Sequence, residues 1–294
     1  MDLTEQDREN MAGLSSKIRW QIRWTTRSNA FLLRTGSEHP SVLWHYLADS
    51  PRYRLVKRGI LSGAAKHVAE VRAEFEAHAM QGQFKEKWFD LNIVPWCVTF
   101  SRIFNRSDPV RILEIGPWEG RSTLFLGTYF PQGHLTAVDT WGGMDEYQYN
   151  ATPDLHDLEV RFDGNLAPCG ARLTKRKGSS LYVLPQLIDE QQKFDVIYVD
   201  GSHFADDVLV DGINAWRLLE QGGILIFDDF LWNYYPRWRA NPAWAINLLL
   251  KYHSREYKIL SVNHYQVILQ KKMAFTDHAS TSPSSLTAAI SETG

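Results

Sequence analysis

Polar and aromatic positions in the first part of the chain repeat at helical spacing. Arg19, Arg23 and Arg27 follow one another at i, i+4 and i+8, with Trp20 and Trp24 in the same rhythm beside them. Strong helix formers run from Ile60 to Met80, so residues 1–85 read as a helical N-terminal segment. Trp88 to Phe104 continues as a helix leading into a sheet, bent at Pro95. From Val110 the pattern changes: short apolar runs alternate with helical stretches, which is the signature of βαβ units. The runs Val110–Ile115, Leu135–Val138, Arg172–Lys177, Asp195–Val199 and Gly223–Phe227 predict five parallel strands. Tyr257–Ser261 and Tyr265–Lys271 follow too closely for a helical crossover and predict an antiparallel pair. Past Lys272 large apolar residues become rare, and 273–294 reads as a disordered tail.

Composition adds exclusions. A chain of 294 residues with 44% hydrophobic and 22% charged positions suits a globular α/β domain plus a further module. The net charge of −2 gives no pull toward nucleic acid or anionic membranes, and no apolar run reaches the roughly 18–20 residues of a membrane span. Two distant cysteines, Cys97 and Cys169, make neither a disulfide framework nor a zinc site. Without a basic-then-apolar leader in the sequence, a reducing, cytoplasmic setting is the expectation. The basic face around Arg19, Arg23 and Arg27 reads in two ways. It is either a surface for an anionic partner or a solvated face beside tryptophans packed on the main domain.

The most informative segment is Arg111-Ile112-Leu113-Glu114-Ile115-Gly116-Pro117-Trp118-Glu119-Gly120-Arg121-Ser122-Thr123. An apolar strand ends in a turn with Gly116 and Gly120 and a helix follows, which lets backbone approach a ligand at the C-terminal sheet edge. A dinucleotide fingerprint starting at Gly116 would need glycine at 118 and 121, where Trp118 and Arg121 stand. Asp139, ending the second strand about 20 residues past the turn, has the position of an acid that accepts hydrogen bonds from ribose hydroxyls. Such an Asp also serves as a helix cap.

The spacing E-x-G-x-x-x-G resembles the first motif of class I S-adenosylmethionine-dependent methyltransferases. Asp200-Gly201-Ser202-His203 after strand four and Gly222-Gly223 leading to Asp228-Asp229 after strand five sharpen the likeness. So do Val138-Asp139-Thr140-Trp141-Gly142-Gly143 and Tyr265-Gln266-Val267. Together they resemble the bacterial small-molecule branch of that family, over Trp88 to Lys272. The resemblance implies a Rossmann-like, doubly wound, mostly parallel seven-stranded sheet of order 3-2-1-4-5-7-6, occupying residues 86–272. It also implies S-adenosylmethionine held by Glu114, Gly116, Gly120, Ser122, Asp139 and Trp141, with Ser179 and Ser180 either touching adenine or capping the next helix.

In such a sheet strands four and five are neighbours, so Asp200, Asp228 and Asp229 converge. Clustered carboxylates repel unless protons or a cation compensate, and oxygen ligands favour Mg²⁺ or another hard divalent ion. The competing reading makes Asp228 and Asp229 loop caps and Asp200 a cofactor contact. His203 is the candidate general base, with Asp200 next in line, although related metal-dependent enzymes carry lysine near this point; it reads equally as a cofactor contact or as a cap of the helix starting near Asp206. Trp232 to Trp244, rich in aromatic and basic residues, follows the acidic pair as a candidate acceptor wall. The expected function is divalent-metal-assisted O-methylation of a small hydroxylated metabolite: a sugar, phenol or natural product. Metal-independent N- or C-methylation and a non-catalytic binding module remain alternatives. A nucleic-acid acceptor is not expected, because the main domain has no basic stripe and no motif for a flipped base. The sequence leaves a homo-oligomer open.

Overall fold

The computed structural model describes residues 5–143, 155 and 157–273, with the side chains of 5–15 and 20 outside that description. The tail expected at 273–294 therefore lies, from 274 onward, outside the described residues.

Three helices come first: α1 (Glu5–Glu38), α2 (Pro40–Lys57) and α3 (Ser62–Ala79). A 3-10 turn at Trp88–Asn92 leads into α4 (Ile93–Phe100). The alternating part follows as β1 (Arg111–Ile115), α5 (Arg121–Tyr129), β2 (His134–Asp139), α6 (Leu158–Asn165), β3 (Leu173–Lys177) and α7 (Ser180–Asp189). It continues with β4 (Phe194–Val199), α8 (Ala205–Leu218), β5 (Leu219–Phe227), α9 (Pro242–Tyr252), β6 (Tyr257–Val262) and β7 (Val267–Lys271). One seven-stranded sheet has the order β3-β2-β1-β4-β5-β7-β6, with β7 antiparallel to both neighbours and the remaining pairs parallel. The expected architecture and strand order are those found.

Alternation along the strands divides the apolar residues between two cores. Ile112, Val196, Tyr198, Ile224 and Ile226 face α3, α4 and α5. Leu113, Ile115, Ile197, Val199, Leu225 and Phe227 face α7, α8 and α9. Because both faces are covered, the strands read as continuous apolar runs rather than half-polar ones. The N-terminal helices take part in this packing: Tyr53, Val56, Val71 and Phe75 enter the first core, and Phe31 and Val42 the second. Helix α2 also covers the edge strand β6. The buried Asp49 carboxylate accepts from Val262 N at 3.1 Å, and the Tyr53 hydroxyl pairs with Ser261. An open β-edge is thereby capped.

Three local expectations are corrected. Pro95 does not bend a helix, for it sits in the first turn of α4 where no intrahelical N–H is needed; the break lies at the 3-10 turn before it. Strand β5 begins at Leu219, four residues early, because its first residue pairs with Phe194 across a register irregularity. Strand β7 begins only at Val267, since the backbone N–H groups of Tyr265 and Gln266 are turned to the Asn263 side chain at 2.8 and 2.9 Å.

Candidate functional site

At the end of β1 the chain turns through Gly116 (φ +82°), whose N–H bonds Val138 O at 2.9 Å. A Cβ here would stand 2.1 Å from Asp200 O and 2.7 Å from Gly201 Cα, so the loops after β1 and β4 touch only because residue 116 is glycine. Gly120 (φ +81°) opens α5, where a side chain would strike Leu166 at 2.1 Å. Glu114 and Ser122 meet beneath this turn: the buried Glu114 carboxyl accepts the hydroxyls of Ser122 and, at 2.6 Å, Thr123. Burial outweighs those bonds and pushes its pKa up to about 7. Glu119, which the sequence reading passed over, is buried against Arg161 at 3.0 Å and accepts Lys85 N at 2.8 Å. It ties the turn to α6 and to the segment leading into α4.

Asp139 sits half-buried at the end of β2. Its Oδ2 accepts Trp118 N at 3.2 Å and its Oδ1 accepts Trp141 N at 2.8 Å, while the Trp141 indole donates to Trp118 O at 3.2 Å. Trp118 and Trp141 both hold left-handed backbone (φ 53° and 49°), a cost for residues with a Cβ. Burial raises the Asp139 pKa against the pull of these N–H groups. Gly178 N bonds Asp139 O at 2.8 Å, which brings Ser179 and Ser180 to the same edge. There Ser179 caps α7 through Leu181 N at 3.3 Å, the second of its two expected roles.

Ser180 instead hydrogen-bonds Asp211, a buried residue of α8 with one carboxyl oxygen left without a partner among the described residues. Burial raises the Asp211 pKa to about 7, so the folded protein holds a proton there that the unfolded chain releases near pH 4. Stability from this group is complete below the unfolded pKa and is lost as pH rises through about 7. Asp211→Asn should flatten that loss, gaining about 2 kcal/mol over wild type at pH 8 relative to pH 5.5. Denaturant unfolding at the two pH values checks this, and an unchanged difference would refute it.

Beyond the strand ends, Asp200 N bonds Ile115 O at 2.9 Å and Asp228 N bonds Val199 O at 3.0 Å, so the ladder carries both carboxylates to the sheet edge. Between them stands the Tyr198 hydroxyl, 2.8 Å from Asp200 Oδ2 and also hydrogen-bonded to Asp228. Asp228 Oδ2 further accepts Gln266 Nε2 at 3.1 Å, and Trp96 Nε1 donates to Gln266 Oε1 at 2.8 Å. Burial holds Asp200 and Asp228 well above the ordinary carboxylate range, helped by repulsion from Asp228 and Asp229 at Asp200 and from Asp229 at Asp228. The single tyrosine proton serves one carboxylate at a time, so the other needs its own proton or a cation.

Asp229, in left-handed backbone (φ 54°), turns away and pairs with His203: Oδ2 and Nε2 are 2.5 Å apart. The His203 ring stacks on Trp232 at 4.7 Å. The three predicted acids and His203 thus share one edge, with Asp229 serving the histidine. Among the described residues no set of three or more His, Cys, Asp or Glu side chains is gathered for a metal. Sequence reading missed Tyr198 and Gln266. The signal for Tyr198 was a hydroxyl within the apolar run Val196–Val199, in register with the equally buried Glu114.

This edge has a glycine turn, a strand-end acid and a second acidic cluster, the features that the sequence resemblance to methyltransferases implied. A family model described as a methyltransferase domain matches residues 113–230. The chain also resembles the 8-demethyl-8-(2-methoxy-alpha-L-rhamnosyl)-tetracenomycin-C 3'-O-methyltransferase of Streptomyces olivaceus, 28% identical over 165 residues. That alignment covers 51% of this chain and 36% of that enzyme, so the chain matches about a third of its relative's length. Among solved structures, the MycE methyltransferase of the mycinamycin pathway, in complex with Mg, SAH and mycinamycin VI, is 17% identical with a TM-score of 0.49. The match covers 70% of this chain and 54% of MycE. The O-methyltransferase TomG of Streptomyces achromogenes, in complex with SAM, is 19% identical with a TM-score of 0.41 and coverages of 57% and 75%. No helix among the described residues is long and apolar enough to cross a membrane.

Proposed function

We propose that this protein transfers a methyl group from S-adenosylmethionine to a hydroxyl of a small metabolite, with a sugar hydroxyl as the preferred acceptor. The observation that carries the reading is one continuous edge. It bears a tight glycine turn beside Asp139 and, one strand along, the His203–Asp229 pair next to Asp200 and Asp228. The sugar preference draws support from the Streptomyces olivaceus relative, whose name gives 3'-O-methylation of a rhamnosyl compound.

S-adenosylmethionine, when bound, supplies a methyl group already activated on a sulfonium. The protein's tasks are to hold the partners in line and to remove one proton. Gly116 admits the donor to the backbone, and Asp139 accepts its ribose hydroxyls. Glu114 and Ser122 brace the turn, Trp141 closes it, and Ser179 and Ser180 border the adenine. Paired with Asp229, His203 would take the acceptor's proton as the oxygen–carbon bond forms and the sulfur leaves as a neutral thioether.

In chemistry, though not as a gathered trio, these acids suit a hard divalent cation such as Mg²⁺. Asp200 and Asp228 repel each other in a buried site and present oxygen ligands, and Asp229 lies at the adjoining position. Held there, such an ion would lower the acceptor hydroxyl's pKa. Asp229 cannot fully serve both His203 and a metal, and the observed pairing favours a second, metal-free reading in which the His203–Asp229 pair alone takes the proton. Exhaustive chelation separates them: the metal-assisted reading expects activity to fall more than about tenfold and return with Mg²⁺. Retained activity selects the metal-free route. The reading as a whole is tested by calorimetric titration with the donor, followed by a methyl-transfer screen over glycosides and phenols. Failure of the demethylated donor to bind would overturn it.

A further inference from the structure

Helix α1 concentrates positive charge that the net charge of −2 conceals. From Ser16 to Ser37 it holds Lys17, Arg19, Arg23, Arg27 and Arg34 and no acidic residue. The segment it packs on is equally one-sided, since residues 230–255 hold Arg237, Arg239, Lys251 and Arg255 without an acid. The two segments meet where Phe31 stacks on Trp238 at 4.0 Å and Arg27 donates to Tyr235 O at 2.6 Å. They meet again at Trp244, whose indole has the Arg34 guanidinium at 4.5 Å and the Arg239 guanidinium at 4.9 Å. Burial and then repulsion from Arg23 lower the Arg27 pKa. Glu38, just past this stretch, is paired with Lys251 at 3.1 Å, and Asp229 is paired with His203. Charge gathered in this way attracts anions locally, whatever the total.

Buried Ser28, Phe31, Leu32 and Thr35 turn one face of α1 to the domain. The outward face has two adjoining rows, one apolar and one basic. Ile18, Ile22 and Leu33 are 51%, 61% and 62% exposed, and each is followed by an exposed arginine: Arg19, Arg23 and Arg34. Steps of four and eleven residues keep each row on one line of the helix, and the offset of one residue sets the rows about 100° apart. Helix α2 adds the exposed Trp44 and Leu47. Scattered exposed aliphatic residues are ordinary, but a row of them bordered by arginines on an acid-free stretch is not.

We propose that α1 is an interfacial helix that docks the protein on an anionic phospholipid surface. Ile18, Ile22 and Leu33 enter the boundary between headgroups and acyl chains. Arg19, Arg23 and Arg34 lay their stems along that row and reach the lipid phosphates. Arginines alone would suit any polyanion. The aliphatic row selects a bilayer, because an acidic protein surface or a nucleic-acid backbone offers charge with no apolar layer beneath it. This association is peripheral and does not rest on the methyl-transfer reading.

Flotation of the full chain with vesicles tests it, using phosphatidylcholine alone and phosphatidylcholine with about 30% phosphatidylglycerol. Wild type should bind the anionic vesicles at least about tenfold more tightly, and high salt should weaken that preference. Arg19→Glu combined with Arg23→Glu should lower binding by more than about tenfold, since each basic residue at such a surface contributes roughly fivefold. Ile18→Ser combined with Ile22→Ser should also lower it more than about tenfold, through lost apolar insertion. Lys66→Glu combined with Arg102→Glu makes the same change in net charge beside the other core, and should leave binding within about twofold. An unchanged thermal unfolding midpoint verifies that each variant is folded. No binding by wild type, equal binding to both vesicles, or an equal loss in the Lys66/Arg102 variant overturns the proposal. Binding that survives either the arginine or the isoleucine changes also refutes it, and survival of the isoleucine changes alone identifies a purely electrostatic polyanion site.

Discussion

His203→Ala is expected to lower turnover by about 10²–10⁴-fold while leaving donor affinity within about twofold of wild type. The asymmetry follows from where the side chain lies. His203 is bonded to Asp229 and stacked on Trp232, beside the loop after β5 and on the proposed acceptor side of the edge. Proton removal matters only on the way to the transition state, so losing the base should spare ground-state binding of the donor. Asp229→Asn should share the defect, because an amide oxygen at 2.5 Å from Nε2 no longer carries the charge that favours the imidazolium. Single-turnover rates, with calorimetry of the demethylated donor, give both quantities. Turnover near wild type with collapsed donor binding would move His203 to the cofactor side.

The second large effect belongs to Asp139. Replacing it with alanine should weaken donor binding by roughly 1.5–3 kcal/mol, the scale of charge-assisted hydrogen bonds. Part of that loss is indirect. Each carboxylate oxygen already holds one backbone N–H, from Trp118 and from Trp141, and both residues sit in left-handed backbone. Asp139→Ala removes the groups that offset this strain as well as the proposed ribose contact. Asp139→Asn, which keeps one strong acceptor, should fall between the two, and thermal unfolding without ligand measures the structural share. A folded Asp139→Ala variant with wild-type affinity would take Asp139 out of the site.

Much of this protein was legible before any tertiary contact was known. Alternating apolar positions in Ile112–Ile115, Val196–Val199 and Ile224–Phe227 define strands buried on both faces, because a period of two sends neighbouring side chains into opposite cores. The glycine spacing and the strand-end position of Asp139 were equally local, since backbone sterics at residues 116 and 120 admit little else. What chain spacing cannot carry is the aim of a side chain beyond a strand end, or a contact between segments some 200 residues apart. Asp229 was grouped with Asp200 and Asp228, yet one left-handed residue swings it onto His203. The apolar run around Tyr198 does not reveal its role, because its hydroxyl meets the two carboxylates only once β4 and β5 are paired. The helix bearing Trp24 showed only a basic-aromatic rhythm, and its partner surface, residues 231–238, exists only once β5 has been paired and its loop folded back. Local sterics and periodicity determine elements and turns, whereas the chemistry at the sheet edge depends on which distant side chains the completed packing brings within hydrogen-bond reach.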